Sequence, residues 1–586
     1  MSAKPGLALS LIPFFLLSVT LTAQTPPPAV ECIPQDAVIC LQLSRPAALI
    51  ELLAGERVTR AITSLPFYRQ QASNPKFNEF LNVLQYIETA LETDWRTGLT
   101  QLTAGGITLA VCPEETLVAV IDAADEGILV RLHDLLLDFA RAEAQKQGHP
   151  ERVASKEYAG VTAWTFGGKE AHAIIGKRLI FASRAEGLKA ALDLFTQPDG
   201  KSLAAKAAFR AAKRTAGPDA VATVFVNLRP LMSLPGVAQL LEQQAKNPLA
   251  ALVFAGITES FRRSNWLASE LDVTGETLTL RVRTDGKTAG PESAAAFALP
   301  QKAADGSWPN ISVPRRIAAM SLYRDLYRFY AAKDTLFPER TSGLIFFENM
   351  MGIFFTGRDL TSEVLGETEP SIRIVVAEQQ YDPAIGTPQV EFPAFAVILR
   401  LRHPEQFGKV VEEAWQKAVG LINFTRGQQA LPGLIIDRPI HEGTKYTVAY
   451  FSTADVEDKT KLDTRFNARP ALAMLGQHLI LSSTDGLARD LIDALERESD
   501  REVKPISQTH SALEIDGTSV ATALEANRET LVRSDMVNKG KTQEDAEAGI
   551  DMLITFVRLI DRVKLRLGAG EGPTEMQLQM KLNLPE

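Results

Sequence analysis

Apolar and polar residues alternate strictly where each of the chain's two halves closes. "ASELDV" and "TLTLRVR" flank a TGE turn near residue 275, and "VKLRL" and "EMQLQMKL" flank "GAGEGP" near the C-terminus. A period of two predicts strands with one wet face, hence antiparallel sheet. Between these strands the period lengthens. "DEGILVRLHDLLLDFARAEAQ" predicts a helix with Leu129, Leu132, Leu136 and Phe139 on one face. "HPEQFGKVVEEAWQKAVGLI" predicts another, with Phe407, Val411, Ala414, Ala418 and Leu421 in its stripe.

One pattern is written twice. "AHAIIGKRLIFASRAEGLKAALD" starts at Ala171 and "ALAMLGQHLILSSTDGLARDLID" at Ala471. Each predicts two apolar strands joined at a glycine, then a helix. Gly176 and Gly476 supply the positive φ of a two-residue hairpin turn. "EGL" meets "DGL" after a one-residue slip. The flanks keep the same order. "GGITLAV" answers "PSIRIVVAE", and "TLVAVIDA" answers "FPAFAVILRL". "AVATVFVNLRPL" is matched with "TSVATALEANRETL", and "PLAALVFAGITESFRR" with "EDAEAGIDMLITFVRLID". This order predicts an α+β protein made of two homologous modules. Each is a large antiparallel sheet with helices packed mainly on one face.

The expected organisation is a signal peptide over 1–23, a Pro-rich spacer over 24–30 and a first module over 31–288. An Ala/Gly/Pro linker over 289–312 and a second module over 313–586 complete it. The leader reading rests on Lys4, the uncharged "LALSLIPFFLLSVTLTA" and Ala23 before "QTPPP". The apolar run is short of the ~20 residues that span a bilayer, and Pro13 interrupts it. An exported, periplasmic or secreted protein with no integral span after cleavage is expected. The 586 residues exceed one ordinary core.

The layout resembles that of uncharacterised exported bacterial proteins built from a duplicated α+β domain of unknown function. "PQDAV", the two hairpin stretches and "FPAFAVILRLRHPEQF" carry the resemblance. It implies an envelope or secreted location, and it brings no catalytic residue.

The net charge of −9 opposes nucleic-acid binding, which needs lysines and arginines against phosphates. Of the three cysteines, Cys32, Cys40 and Cys112, a Cys32–Cys112 disulfide is one expectation. Three separate buried side chains are the other. The sequence lacks HExxH, GxSxG and GxxxxGK[ST], and its seven histidines form no HxH or HxxxH pair. No cofactor, metal site or catalytic residue is therefore assigned. Ser183 and Ser483 stand at matching strand ends, where a helix N-cap is the expected use and a nucleophile the alternative. His133 with Asp134 and Asp138 reads as a solvated helix face, and His172 and His478 as ordinary strand residues. The acidic "DVEDKTKLD" reads as a solvated loop.

"LIFFENMMGIFF" packs four Phe and two Met into twelve residues. It is expected to be a buried helix. The alternative makes Phe346, Phe354 and Phe355 a partner or ligand surface. The function expected is non-catalytic binding or scaffolding in the cell envelope, toward an unknown envelope protein or an apolar ligand. A hydrolase with a site assembled from distant loops, or a carrier of an apolar ligand, is the alternative.

Overall fold

In the computed structural model the description covers residues 27–64, 68, 75–197, 201–232, 236, 248–286, 296–302, 304–337, 341–454, 456, 458–568 and 574–584. The leader, residues 289–295 of the expected linker and the "GAGEGP" turn after Gly568 lie outside the described residues.

The first half carries strands β1 (Ile39–Leu43), β2 (Gly106–Cys112), β3 (Thr116–Asp122), β4 (Ala154–Tyr158) and β5 (Val161–Thr165). It continues with β6 (Ala171–Ile175), β7 (Arg178–Ala182), β8 (Ala222–Asn227), β9 (Trp266–Thr274) and β10 (Thr277–Thr284). The second half carries β11 (Arg316–Leu322), β12 (Thr368–Ala377), β13 (Ala394–Leu401), β14 (Ile435–Asp437) and β15 (Ile440–His441). Then come β16 (Thr444–Tyr450), β17 (Ala471–Leu475), β18 (His478–Ser482), β19 (Thr509–Asp516), β20 (Ile560–Gly568) and β21 (Glu575–Leu582).

The strands lie in the order β4-β5-β6-β7-β3-β2-β1-β8-β9-β10 in the first half. The second half repeats it as β14-β16-β17-β18-β13-β12-β11-β19-β20-β21, with β15 continuing the β14 side of β16. Every one of these pairings is antiparallel. The two runs meet at β10 and β21, also antiparallel, from Thr277 opposite Lys581 to Arg283 opposite Glu575. One sheet thus passes through both halves.

The repeated hairpin has the same pairing register in both halves. Ala171 pairs with Ala182 and Ile175 with Arg178, while Ala471 pairs with Ser482 and Leu475 with His478. Gly176 and Gly476 have φ of +57° and +53°, as the turn requires. The helices that follow, Ala185–Thr196 and Asp485–Asp500, keep the same register. They bury Gly187, Leu188, Ala191 and Leu192 in one half, and Leu487, Ala488, Leu491 and Ile492 in the other. The one-residue slip that matched "EGL" with "DGL" is therefore not present. Gly187 stands where Leu487 does, because a side chain there would run into Thr116 and Ala182.

Two other matches are corrected. The counterpart of β8 is β19, not the stretch from Thr518, which is the helix Gly517–Ala526. In the helix Glu126–Lys146 the buried positions are Ile128, Leu129, Leu137 and Ala144, while Leu136 and Phe139 are exposed. Leucines stand on both flanks of that helix, so apolar spacing alone allowed either face.

The sheet is α+β as the alternation predicts, and its helices lie on both faces. On one face the 185–196 and 485–500 helices pack against Ala173, Ile180 and Val118, and against Ala473, Ile480 and Ala396. On the other, Ile128 and Leu129 pack with Ile174 and Leu179. There too the helix Pro404–Gln428 sets Phe407 and Val411 over Leu472 and Leu479. Each fully buried Leu or Ile contributes roughly 1.5–3 kcal/mol.

The described part of the expected linker is not loose. Ala296, Phe297, Ala298, Leu299 and Ile311 are buried. Phe297 lies 4.8 Å from Phe329, and its carbonyl accepts Asp325 N at 2.9 Å. A fully buried arginine, Arg324, joins the halves. It donates to the carbonyls of Leu252 and Val253 in the helix Pro248–Arg263, and to Tyr323 O, His510 O and Ser511 Oγ in the second half.

Candidate functional site

Each half has a groove over the start of its repeated helix, and the two grooves share part of their lining. In the first half Thr116, Arg184, Ala185, Glu186 and Lys189 contribute. In the second, Ala394, Thr484, Asp485, Gly486 and Arg489 do. Their volumes differ, about 850 Å3 against about 480 Å3.

One connection beside the grooves differs in length between the halves. β2 and β3 are joined by the three-residue turn Pro113–Glu115, with Glu114 and Glu115 both at positive φ. β12 and β13 are joined by residues 378–393, and part of this loop lies in the second groove, from Glu378 to Gly386. Asn467 holds the loop: its Oδ1 accepts Tyr381 Oη at 2.7 Å and Phe392 N at 2.9 Å, and its Nδ2 donates to Val390 O at 2.8 Å. Gln379 Nε2 adds bonds to Phe392 O and Asn467 O.

The far wall of the first groove is the hairpin β4–β5. Its turn, Ala159-Gly160, has two consecutive positive φ values, and so does Glu442-Gly443 in the second half. Each hairpin is pinned to its helix by the residue before the turn. Tyr158 Oη donates to Asp193 Oδ1 at 2.7 Å, and His441 Nε2 meets Asp493 Oδ1 at 2.6 Å. The Asp193 hydrogen bond raises the Tyr158 hydroxyl above its ordinary range. The sequence reading passed over both hairpins. The Ala-Gly and Glu-Gly pairs before "VTAWT" and "TKYTVAY" are the signal that marks them.

The charges in the two grooves are satisfied differently. In the second, Arg315 pairs with Asp490 at 3.1 Å and Arg469 with Asp485 at 2.9 Å. In the first, Arg184 pairs with Glu114 at 3.2 Å. Glu170 turns inward to accept Phe166 N at 3.0 Å and Gly168 N at 3.2 Å. Burial raises its carboxyl, but these N–H groups outweigh that and hold it below the usual range. Lys189 lies over the Tyr158 ring at 5.4 Å. Lys156, Lys169 and Lys189 have no ion-pair partner among the described residues. The apolar floor is Ala163, Leu188 and Leu192. Trp164 faces the opposite side of the sheet, against His133 and Arg141.

The residues singled out from the sequence are not brought together. Gly176 and Gly476 are the hairpin turns expected of them. Cys32, Cys40 and Cys112 are free thiols in one buried cluster, so the Cys32–Cys112 disulfide is not formed. Cys32 Sγ instead faces Arg178 Nη1 at 3.6 Å, and Arg178 is locked on Asp122 by bonds of 2.6 and 2.9 Å. Burial pushes the Cys40 thiol up to about 12 and the Cys112 thiol to about 11.

Ser183 and Ser483 share a role that differs from the cap expected. Ser183 Oγ accepts Leu117 N at 2.9 Å, and Ser483 Oγ accepts Phe395 N at 2.9 Å. They extend the pairing of β7 to β3 and of β18 to β13 by one side-chain bond. The N-caps are Arg184, whose side chain makes no cap bond, and Thr484, which accepts Leu487 N.

His133 does not face solvent. Its Nε2 lies 3.1 Å from His172 Nε2. Asp455 and Glu457 of the acidic stretch lie outside the described residues, while Asp458 closes its own turn on Thr460. Among the described residues no group of three His, Cys, Asp or Glu is placed to hold a metal ion.

The Phe-rich helix, Thr341–Phe354, is half buried rather than buried. Leu344, Met351 and the adjoining Phe355 pack inward, with Phe355 stacked on Phe407 at 6.5 Å. Ile345, Phe346 and Ile353 face out, Phe346 at 70% and Ile353 at 69% exposure. Of the three phenylalanines named for a partner surface, only Phe346 is presented.

Among the described residues no helix is long and apolar enough to cross a membrane. No family model matches the chain, and no curated protein does. Among solved structures the chain is similar to TP0453. Crystal form III shares 8% identity over 45% of this chain and 81% of TP0453, with a TM-score of 0.25. Crystal form I shares 9% over 45% and 80%, with a TM-score of 0.23. A likeness of this order bears no functional argument.

Proposed function

We propose that the protein is an exported, non-catalytic binding or scaffold protein of the cell envelope, descended by duplication of one α+β module. The observation that carries the reading is the pair of grooves at matching helix starts on a shared strand order. The second is walled on one side by the chain's own 378–386 loop, and the first has a three-residue turn at that place. A scaffold that keeps its sheet and varies one connection changes what it binds without changing its fold. Lys4 followed by an uncharged apolar run supports export. The outward stripe of Ile345, Phe346 and Ile353 supports contact with a further partner.

The test has two parts. Fractionation of the native cell with N-terminal sequencing should find a form beginning at Gln24 in the envelope or medium. Cross-linking from the first groove, through a photoreactive residue at Ala185, should give one reproducible adduct. A chain that retains its leader in the cytoplasm ends the export reading. Turnover of a substrate that is lost on changing groove residues ends the non-catalytic one.

A further inference from the structure

The molecule contains its own comparison for the open groove. In the second half, the chain from Glu378 to Gly386, "EQQYDPAIG", lies along the start of the 485–500 helix. It folds into a turn at residues 383–385, where Ile385 N and Gly386 N both donate to Asp382 O, carries two carboxylates and an aromatic ring, and forms one wall of the groove. In the first half the corresponding connection is a three-residue turn, too short to reach across. The first groove is about 370 Å3 larger, has an apolar floor, and presents three lysines with no ion-pair partner among the described residues, in a protein whose overall balance is acidic.

We propose that the first-half groove binds an acidic peptide segment of a partner protein, placed beside the helix start as residues 378–386 are placed in the second half. The inference rests on the binding reading above and names its ligand. Lys156 stands on the hairpin wall, Lys169 on the loop before β6 and Lys189 on the helix, so carboxylates along a peptide meet a cation from each side. An aromatic side chain on that peptide meets Tyr158, already in contact with Lys189. The charge pattern favours association of acidic over basic segments through steering and repulsion.

The probe is a fluorescein-labelled peptide with the sequence of residues 378–386, measured against the full chain by fluorescence anisotropy. Binding is expected, weakening about tenfold when salt rises from 50 to 500 mM, as screened charge pairs require. Lys156→Glu with Lys189→Glu should weaken it by at least about tenfold. Lys504→Glu on the other half should leave it unchanged. A peptide with both carboxylates replaced by amides should bind as weakly as the double variant does. Circular dichroism and the melting temperature show whether each variant is folded. Should the double variant not fold, the amide peptide decides alone. No binding at about 1 mM peptide overturns the proposal. So does equal binding of the amide peptide, or saturable binding of oleate where the peptide fails. Failure here with a processed, exported chain leaves the export reading standing. Binding here by a chain that keeps its leader in the cytoplasm ends export and leaves the groove assigned.

Discussion

His510 makes the protein acid-sensitive in a way that can be calculated. It is fully buried, and its Nδ1 lies 2.9 Å from Ser511 Oγ. That oxygen accepts from Arg324 Nη2, so its own proton is free to go to Nδ1. The imidazole is then neutral with its proton on Nε2, and Nε2 has no partner among the described residues. Burial first, and the Arg324 charge second, push His510 down from its ordinary value to about 3. The sign follows from proton counting. Below about pH 6.5 the unfolded chain takes up a proton here and the folded chain does not, so stability falls as pH falls. Each pH unit costs about 1.4 kcal/mol, or roughly 3 kcal/mol at pH 4.5. His172 and His478 are also depressed, each to about 4, by burial first and then by His133 or by Arg400 and Arg373. Three such residues together remove roughly 8 kcal/mol by pH 4.5, on the scale of a whole domain's stability. Urea unfolding followed by tryptophan fluorescence at pH 7 and pH 4.5 measures the loss. His510→Gln separates it from packing: the variant should lose about 3 kcal/mol less than the wild type over that interval. Parallel losses in the two proteins would refute the reasoning.

Three further outcomes are expected. Ser183→Ala and Ser483→Ala should each cost about 1 kcal/mol in denaturant midpoints, and by similar amounts, because each removes one bond to a strand N–H. A reducing agent should leave the melting temperature unchanged, and a thiol reagent should titrate three groups only after denaturation; one thiol would restore the disulfide. Phe346→Glu should change stability by less than about 0.5 kcal/mol, while Phe355→Ala should cost about 1–3 kcal/mol, since only the second ring is packed, and that one in part.

The hairpins at Gly176 and Gly476 were legible because turn chemistry and strand alternation are both local. The strand order was legible only as a sequence of elements; that β7 and β18 pair with β3 and β13 follows from contacts between distant residues. The faces of the helices were not legible. His133 lies on the sheet side of its helix because Leu129 and Leu137 do, although Leu136 and Phe139 offered an equally apolar flank. The groove was missed for a different reason. It lies beside a connection whose length differs between the halves, and a short turn such as Pro113–Glu115 carries no residue that announces a groove. Ser183 and Ser483 matched in the alignment, but only the position of the facing strand shows that they bond across it.

The junction of β10 with β21 has a consequence for anyone who cuts the chain in two. Severed near residue 290, each fragment would end in an eight-residue ribbon whose outer amides and carbonyls had lost their neighbour. Leu278, Leu280 and Val282, or Met576, Leu578 and Met580, would stand along that raw margin. Such fragments should stick to themselves or to each other, and mixing the two should rescue both.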